Sequence, residues 1–354
     1  FQDWVQRSVE AAGTDGKIAA AVDHWTEAAS EAGGQGVPYG QSRDPFDATS
    51  GLAVVPFGPE RAAALRRLTQ SEGFRLFGAE LSRFAVFATI HAAWLSRITN
   101  DNSVCFGAPA HLRGTAQDQA AMGMFVETFP FPVAIDPADS FRDLHGKVAA
   151  QSMAWLRNSL AGSSTPESAG AFRSVLNYLP IPFGDFAGHP CDVSLLHSGA
   201  HDPGHDVQLS ICQFSGDDGP IDLHFRLNRK VFGGEFGGMA STHWLALADA
   251  MFSNPDGKVA STPLGGEVLV GPECLAAETV LAQFTGHVSA TPDAIAIEDR
   301  DRRLTYREFD RLIGEYAAGC LAGGVAPGTP VLVWAPRSIE TVSYTHLTLP
   351  TMYT

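Results

Sequence analysis

The residues of this chain that could do chemistry of their own are few, and each has a plainer reading beside it. His201-Asp-Pro-Gly-His205-Asp206 gathers two imidazoles and two carboxylates, the donor types that hold zinc. Pro203-Gly204 separates the two histidines, so they share no helix face, and the run reads as a solvated loop. His111 stands between Pro109 and Arg113. An imidazole titrates near neutral pH and could act as a base, yet a lone histidine at a strand end reads as structural. Val231-Phe-Gly-Gly-Glu-Phe-Gly-Gly238 has glycine enough to cradle a phosphate but lacks the Lys-Ser/Thr pair of such loops, and reads as a flexible turn. G-x-S-x-G, a Walker A loop and G-x-G-x-x-G do not occur in the sequence.

The elements that would position these residues follow from hydrophobic periodicity. Residues 1–30 read as helix in two pieces, broken at Gly13 and Gly16, with Ile18, Val22 and Trp25 at helical intervals in the second. Gly33 to Pro45 is loop. Residues 59–73 predict a charged amphipathic helix, and Leu76 to Ile98, with Leu81, Phe84, Phe87, Trp94 and Leu95, predicts a core helix. Short strands are expected at Val104–Pro109 and Phe129–Ile135. Val207–Phe214 and Ile221–Leu227 both alternate apolar with polar residues across Ser215-Gly-Asp-Asp-Gly219, which predicts an antiparallel hairpin with one buried face. A helix carrying Met239, Trp244, Leu247 and Met251 comes next. Residues 253–280 turn rich in Gly and Pro and read as a linker. Beyond it, Ala294–Ile297 is a strand, and Thr305-Tyr-Arg-Glu308 is a capping box that opens a helix ending at Gly323-Gly324. An apolar strand, Val331–Trp334, follows. The fold class is α/β with a mixed sheet, succeeded by the start of a second α/β domain.

Composition narrows the function classes. Of 354 residues, 45% are hydrophobic and 18% charged, the balance of a soluble globular protein with a sizeable core. A formal net charge of −15 argues against a nucleic-acid partner, because phosphate backbones call for clustered Lys and Arg. The sequence has no apolar run of membrane-spanning length and no signal peptide, so the expected location is cytoplasmic. Cys105, Cys191, Cys212, Cys274 and Cys320 form no C-x-x-C pair and are odd in number. They read as buried or half-buried thiols in a reducing compartment, with neither metal nor disulfides. The first residue is Phe, so the amino terminus reads as processed, trimmed or missing.

Thr291-Pro-Asp-Ala-Ile-Ala-Ile297, Arg303-Leu-Thr-Tyr-Arg-Glu-Phe-Asp310, Gly324-Val-Ala-Pro-Gly-Thr-Pro-Val-Leu-Val333 and Arg337-Ser338 resemble the opening of adenylation (AMP-binding) domains in non-ribosomal peptide synthetases. Upstream, four segments resemble a condensation domain: Phe1-Gln-Asp-Trp4 with His24-Trp25, the strand holding Gly107, Pro109 and Arg113, Met122-Gly-Met-Phe-Val-Glu-Thr128, and Ser174-Val-Leu-Asn-Tyr178. The resemblance implies a chloramphenicol-acetyltransferase-like condensation lobe with a mixed sheet over residues 1–260, the C-terminal part of that domain. A linker at 261–280 and a partial α/β adenylation N-terminal subdomain at 281–342 would follow. Residues 343–354 resemble no adenylation segment and read as an artefactual tail.

Within this resemblance, Glu127 stands where the family usually has Asn, and Pro132 where an Arg often follows. The family's His-His-x-x-x-Asp-Gly motif belongs before residue 1, and no adjacent His pair occurs in the chain. The expectation is therefore a chain with no catalytic, cofactor-binding or metal residue of its own, inactive alone, with Glu127, Thr128 and Asn177 as candidates for the wall of the substrate tunnel. These three could equally just hold loops and strands together. The parent enzyme would form an amide between carrier-bound aminoacyl or peptidyl thioesters. It would use 4′-phosphopantetheine on the carrier domains, and ATP with Mg in the complete adenylation domain. Its partners would be peptidyl or acyl carrier domains and the missing condensation N-terminal lobe, with no nucleic acid or membrane. Two other readings stay open: a structural or carrier-binding remnant without catalysis, and a heterocyclisation domain of the same fold.

Overall fold

The computed structural model describes residues 16–32, 36–44, 47–113, 116–120, 122–189, 191, 193–200, 202, 204–234, 236–265, 280–299, 302–325 and 338–345. The expected segments Phe1–Trp4 and Val331–Trp334, most of the tail, and Cys274 lie outside these residues. The chain divides into two compact units, Phe1–Val268 and Leu269–Thr354.

The first unit is built on a six-stranded mixed sheet of β1 (Ser50–Pro56), β2 (Ser103–His111), β3 (Val126–Ala134), β4 (Ser174–Leu179), β5 (Val207–Cys212) and β6 (Asp222–Asn228). The strand order is β1-β6-β5-β4-β2-β3. β4 runs parallel to both β2 and β5, and the remaining neighbours are antiparallel. The expected hairpin is β5–β6, with Val207 opposite Leu227 and Ile211 opposite Leu223, so the alternating apolar residues share one buried face. Its helices are α1 (Gly16–Glu31), α2 (Pro59–Gln70), α3 (Ala79–Thr99), α4 (Ala116–Ala120), α5 (Phe141–Asn158), α6 (Pro166–Ala169) and α7 (Phe236–Ser253).

The core helix is α3, packed against α2, α5, α7, β2 and β4. Fifteen of its twenty-one residues are buried, so it is apolar on nearly all sides, not on one stripe alone. It starts at Ala79, three residues later than its apolar pattern suggests, because Gly78 has φ 90 and interrupts helical geometry. Around it Phe57, Phe87, Trp94, Phe225 and Trp244 meet in edge and tilted ring contacts. Strand β1 and helix α5 are additions to the expected elements. Ser140 and Asp143 form a reciprocal capping box that starts α5.

The stretch after α7 is not free chain at its start. Pro255 and Gly257 accept backbone bonds from Arg142 and Phe141, Val259 donates to Asp139, and Arg97 donates to the carbonyls of Val259 and Thr262. Gly/Pro composition reads as linker in one dimension, whereas these bonds tie residues 255–262 to the first unit. Among the cysteines, Cys191 is exposed, unlike the buried Cys212 and the half-buried Cys105 and Cys320.

The second unit holds α8 (Val280–Ala290), the antiparallel pair β7 (Ile295–Glu298) and β8 (Arg303–Thr305), α9 (Tyr306–Ala322) and α10 (Ile339–Thr345). Phe309, Ile313 and Ile339 form its core. The Thr305–Glu308 capping box is present, and α9 ends with Gly323 as its cap. Helix α10 continues to Thr345, across the boundary at residue 342 expected from sequence. No helix of the described residues is long and apolar enough to cross a membrane.

Candidate functional site

Parallel strands leave a crevice beyond their carboxyl ends, where ligands of α/β sheets commonly bind. In the first unit a groove of about 650 Å³ lies there, where Pro109 and His111 end β2 and Leu176 and Tyr178 lie along β4. The amino-terminal turns of α3, through Leu81 and Phe84, form another side, and Trp155 and Leu156 of α5 complete it. Trp155 stacks on Phe84 with ring centroids 5.4 Å apart and donates its indole N–H to the carbonyl of Ala108 at 3.2 Å. Two contacts of different kinds thus hold one wall at fixed distance from β2. The Tyr178 hydroxyl donates to Gln213 Oε1 at 3.2 Å, and burial pushes its pKa up, so it stays protonated at neutral pH.

Glu127, Thr128 and Asn177 do not line this groove. Glu127 accepts from the backbone N–H groups of Gly162 at 2.7 Å and Ser164 at 3.2 Å. The Thr128 carbonyl accepts from the Ser164 hydroxyl at 3.5 Å. Both residues therefore hold the loop between α5 and α6, a role that a carboxylate accepting two N–H bonds fills well. Asn177 is half-buried on β4, opposite Ser210 on β5, while its neighbours Leu176 and Tyr178 line the groove. Arg113 donates to the carbonyls of Asp118 and Gly123 and lies 4.0 Å over the Phe125 ring, tying down the segment that leads into β3. Glu127, Thr128 and Arg113 are thus brought together as scaffolding around one strand. His111, set aside in the sequence as structural, is the imidazole that lines the groove. Gly107 belongs to the same supports: a Cβ there would lie 2.4 Å from the Phe172 ring.

The other chemistry-bearing runs are accounted for by packing. Asp206 is buried and accepts from Arg43 and Arg173, and His205 stacks on Phe172, so neither is poised to hold a metal. His201 lies outside the described residues. Among the described residues no group of three metal-ligating side chains gathers. In the Gly-rich run, Val231 and Phe232 are buried in the core. His91 Nε2 and Ser174 Oγ are 2.8 Å apart, a pairing of base and hydroxyl that sequence spacing does not reveal. Both are buried, and burial holds the His91 pKa down at about 3, so this pair reads as a core contact.

Comparison with known proteins agrees with this architecture. Residues 1–163 match the family model of condensation domains, and residues 284–346 match that of AMP-binding enzymes. The chain is 24% identical to one of the linear gramicidin synthase proteins of Brevibacillus parabrevis, over 86% of its own length and 6% of that protein. It is also 24% identical to malpibaldin synthetase of Mortierella alpina, over 93% of its length and 6% of that protein. The chain thus spans a tenth or less of the curated relatives it matches. Its fold is similar to that of the first condensation domain of the calcium-dependent antibiotic synthetase, with a TM-score of 0.59 at 18% identity, covering 74% of this chain and 57% of that one. A four-domain nonribosomal peptide synthetase bound to AMP and glycine gives a TM-score of 0.54 at 15% identity, over 87% of this chain and 25% of that one. Along the chain, a segment similar to condensation domains at residues 1–163 is thus followed by a segment similar to AMP-binding enzymes at residues 284–346, on a fold similar to that of solved condensation domains.

Proposed function

We propose that this chain is part of a synthetase polypeptide that joins carrier-bound acyl thioesters through amide bonds, and that its first unit supplies one wall of the condensation site. The observation that carries the reading is the order of the two family matches along one chain, condensation then AMP-binding. In the reaction, the amine of an acceptor aminoacyl thioester attacks the donor thioester carbonyl. A C–N bond forms, the C–S bond breaks, and the proton lost by the amine balances the thiolate that leaves.

A thioester is already a good acyl donor, so alignment and proton handling are what a protein must add. The groove suits the first task. Pro109, Phe84, Trp155 and Leu176 give it an apolar side against which an acyl chain could be aligned, with Glu80, His111 and Asp217 as its polar border. Glu127, Thr128 and Arg113 enter as supports that keep β3 and its loops beside β2. In this reading the proton-handling histidine is supplied from outside these residues, and His111 borders the groove. Phosphopantetheine would arrive on carrier domains, which are the proposed partners. ATP with Mg would belong to the complete adenylation domain.

The test is a single-turnover reaction between two loaded carrier domains in the presence of a synthetase polypeptide containing this chain, with products read by mass spectrometry. An amide-linked product on the acceptor carrier, lost when His111→Trp fills the groove, is the expected result. Intact loading with no amide product refutes the reading.

A further inference from the structure

Trp155 packs against both apolar clusters of the first unit, the main core around α3 and a small one of Trp25, Ala28, Ala110 and Phe129. It is half-buried, and the surface that this packing leaves over lines the groove. A tryptophan presents a large rigid area governed by only two side-chain torsions. Here both are restrained. The stack on Phe84 sets the plane of the indole, and the bond to the Ala108 carbonyl sets which edge turns to β2.

The backbone beneath the ring is held as well. The Asn158 carbonyl accepts the indole N–H of the buried Trp25 at 2.9 Å, and Trp25 is itself stacked on Phe129 with centroids 5.0 Å apart. Ser159 donates its N–H to the Trp155 carbonyl at 2.9 Å. Glu127 then takes the Gly162 and Ser164 N–H groups just past the helix. The last turn of a helix ordinarily frays, whereas this one is tied to α1, β2 and β3 by bonds between residues 35 to 133 positions apart. Phe77 and Leu156 also border the groove, but they are 86% and 51% exposed and have room to swing aside.

A wall discriminates by size only if it does not yield. A yielding wall admits a bulkier group at little cost, while a fixed one turns each added methylene into a clash. In an apolar pocket one methylene is worth about 10–200-fold. We propose that Trp155 is the specificity-determining residue of the groove, a fixed partition that limits the bulk of the aminoacyl group aligned there, and that Glu127 is a positioning residue acting through it. The inference rests on the condensation reading of the same groove and adds to it which thioesters are favoured, those of amino acids with small side chains. Glu127 thereby bears on substrate choice without lining the groove.

The test is a ligand-observed NMR titration of the full chain with the N-acetylcysteamine thioesters of glycine and of phenylalanine. Both carry the same thioester, so the ratio of their dissociation constants isolates the side chain. The parent is expected to bind the glycyl thioester more tightly, and Trp155→Ala to move the ratio at least about tenfold toward the phenylalanyl one. Trp155→Phe keeps a ring against Phe84 and gives up the bond to Ala108, so it should move the ratio part of the way. It is the variant to read if Trp155→Ala does not fold. Glu127→Ala should move the ratio in the same direction, and Glu127→Gln, which keeps an acceptor oxygen for the loop, should restore most of it. A residue that only stabilises the fold would lower the melting midpoint and leave the ratio alone, and that result in Glu127→Ala overturns its positioning role. A ratio unchanged in the folded Trp155 variants, or a parent that binds the phenylalanyl thioester more tightly or the glycyl one not at all, overturns the partition. None of these readouts needs turnover. The carrier-domain assay can yield its amide while the ratio stays fixed, or fail while the ratio moves, so the two readings fail separately.

Discussion

Lowering the pH should unfold the first unit through two histidines that its core holds uncharged. His91 on α3 bonds Ser174, and His145 on α5 lies 3.1 Å from the Thr89 hydroxyl and 4.6 Å from the Phe74 ring centroid. Neither His91 Nδ1 nor His145 Nε2 has a hydrogen-bond partner among the described residues. Burial lowers the pKa of His91 from 6.5 to about 3 and that of His145 from 6.5 to about 4. Below 6.5 the unfolded chain takes up protons that the fold refuses, so stability is full at neutral pH and falls as the pH drops through 6.5 toward the folded values. At pH 5 the linkage relation gives a loss of about 2 kcal/mol for each histidine. His24, His224 and His243 are shifted in the same direction, also chiefly by burial, and add to the slope. Urea titrations followed by tryptophan fluorescence at pH 7 and at pH 5 measure the effect. His145→Gln, which carries no proton at either pH, should lessen the drop by about 2 kcal/mol. A drop of unchanged size in that variant and in His91→Gln, or a midpoint that rises toward acid, refutes the assignment.

Further outcomes follow from individual contacts. Glu127→Ala leaves the Gly162 and Ser164 amides without their acceptor, and should cost about 1–3 kcal/mol. Faster hydrogen exchange at those two amides checks that the loss is local. Thr305→Ala removes the capping box of α9 and should lower the stability of the second unit by about 1 kcal/mol, read from its thermal midpoint. Phe87→Ala, in the ring cluster with Phe57 and Trp244, should cost about 3–5 kcal/mol in the first unit, with little change in the second. Tyr178→Phe keeps the ring in the groove and removes its hydroxyl; it should slow condensation in the carrier-domain assay while leaving the melting midpoint within a few degrees of the parent. A parent-like rate assigns that hydroxyl to packing alone.

Much of the architecture is legible in one dimension because its signals are local. The 2-residue alternation in Val207–Cys212 and Asp222–Asn228 names both the strands and their buried face. Thr305 and Glu308 announce α9 through bonds that span only three residues. Helix α5 carries the same kind of signal in Ser140 and Asp143, yet with the shorter acid in place of Glu, and it is not among the elements expected from sequence. Strand β1 is not among them either. Its Ser50–Pro56 segment pairs only with β6, some 170 residues later, and its Val54 stays half exposed, so no local pattern marks it.

The sequence by itself determined the likeness to condensation and AMP-binding segments, their order and most of the helices and strands, because these depend on residue type and near-neighbour spacing. Tertiary structure alone decided which groups the candidate residues meet. Glu127 and Thr128 are in motif order, yet the Glu127 carboxylate is turned to the backbone N–H of Gly162, thirty-five residues away, and the Thr128 carbonyl accepts from the Ser164 hydroxyl. His111, Tyr178 and Trp155 are far apart in the chain, yet meet because β2 and β4 run parallel and α5 packs across α3. A groove is a property of surfaces brought together by burying a common core, and that is set by long-range packing which no local spacing encodes.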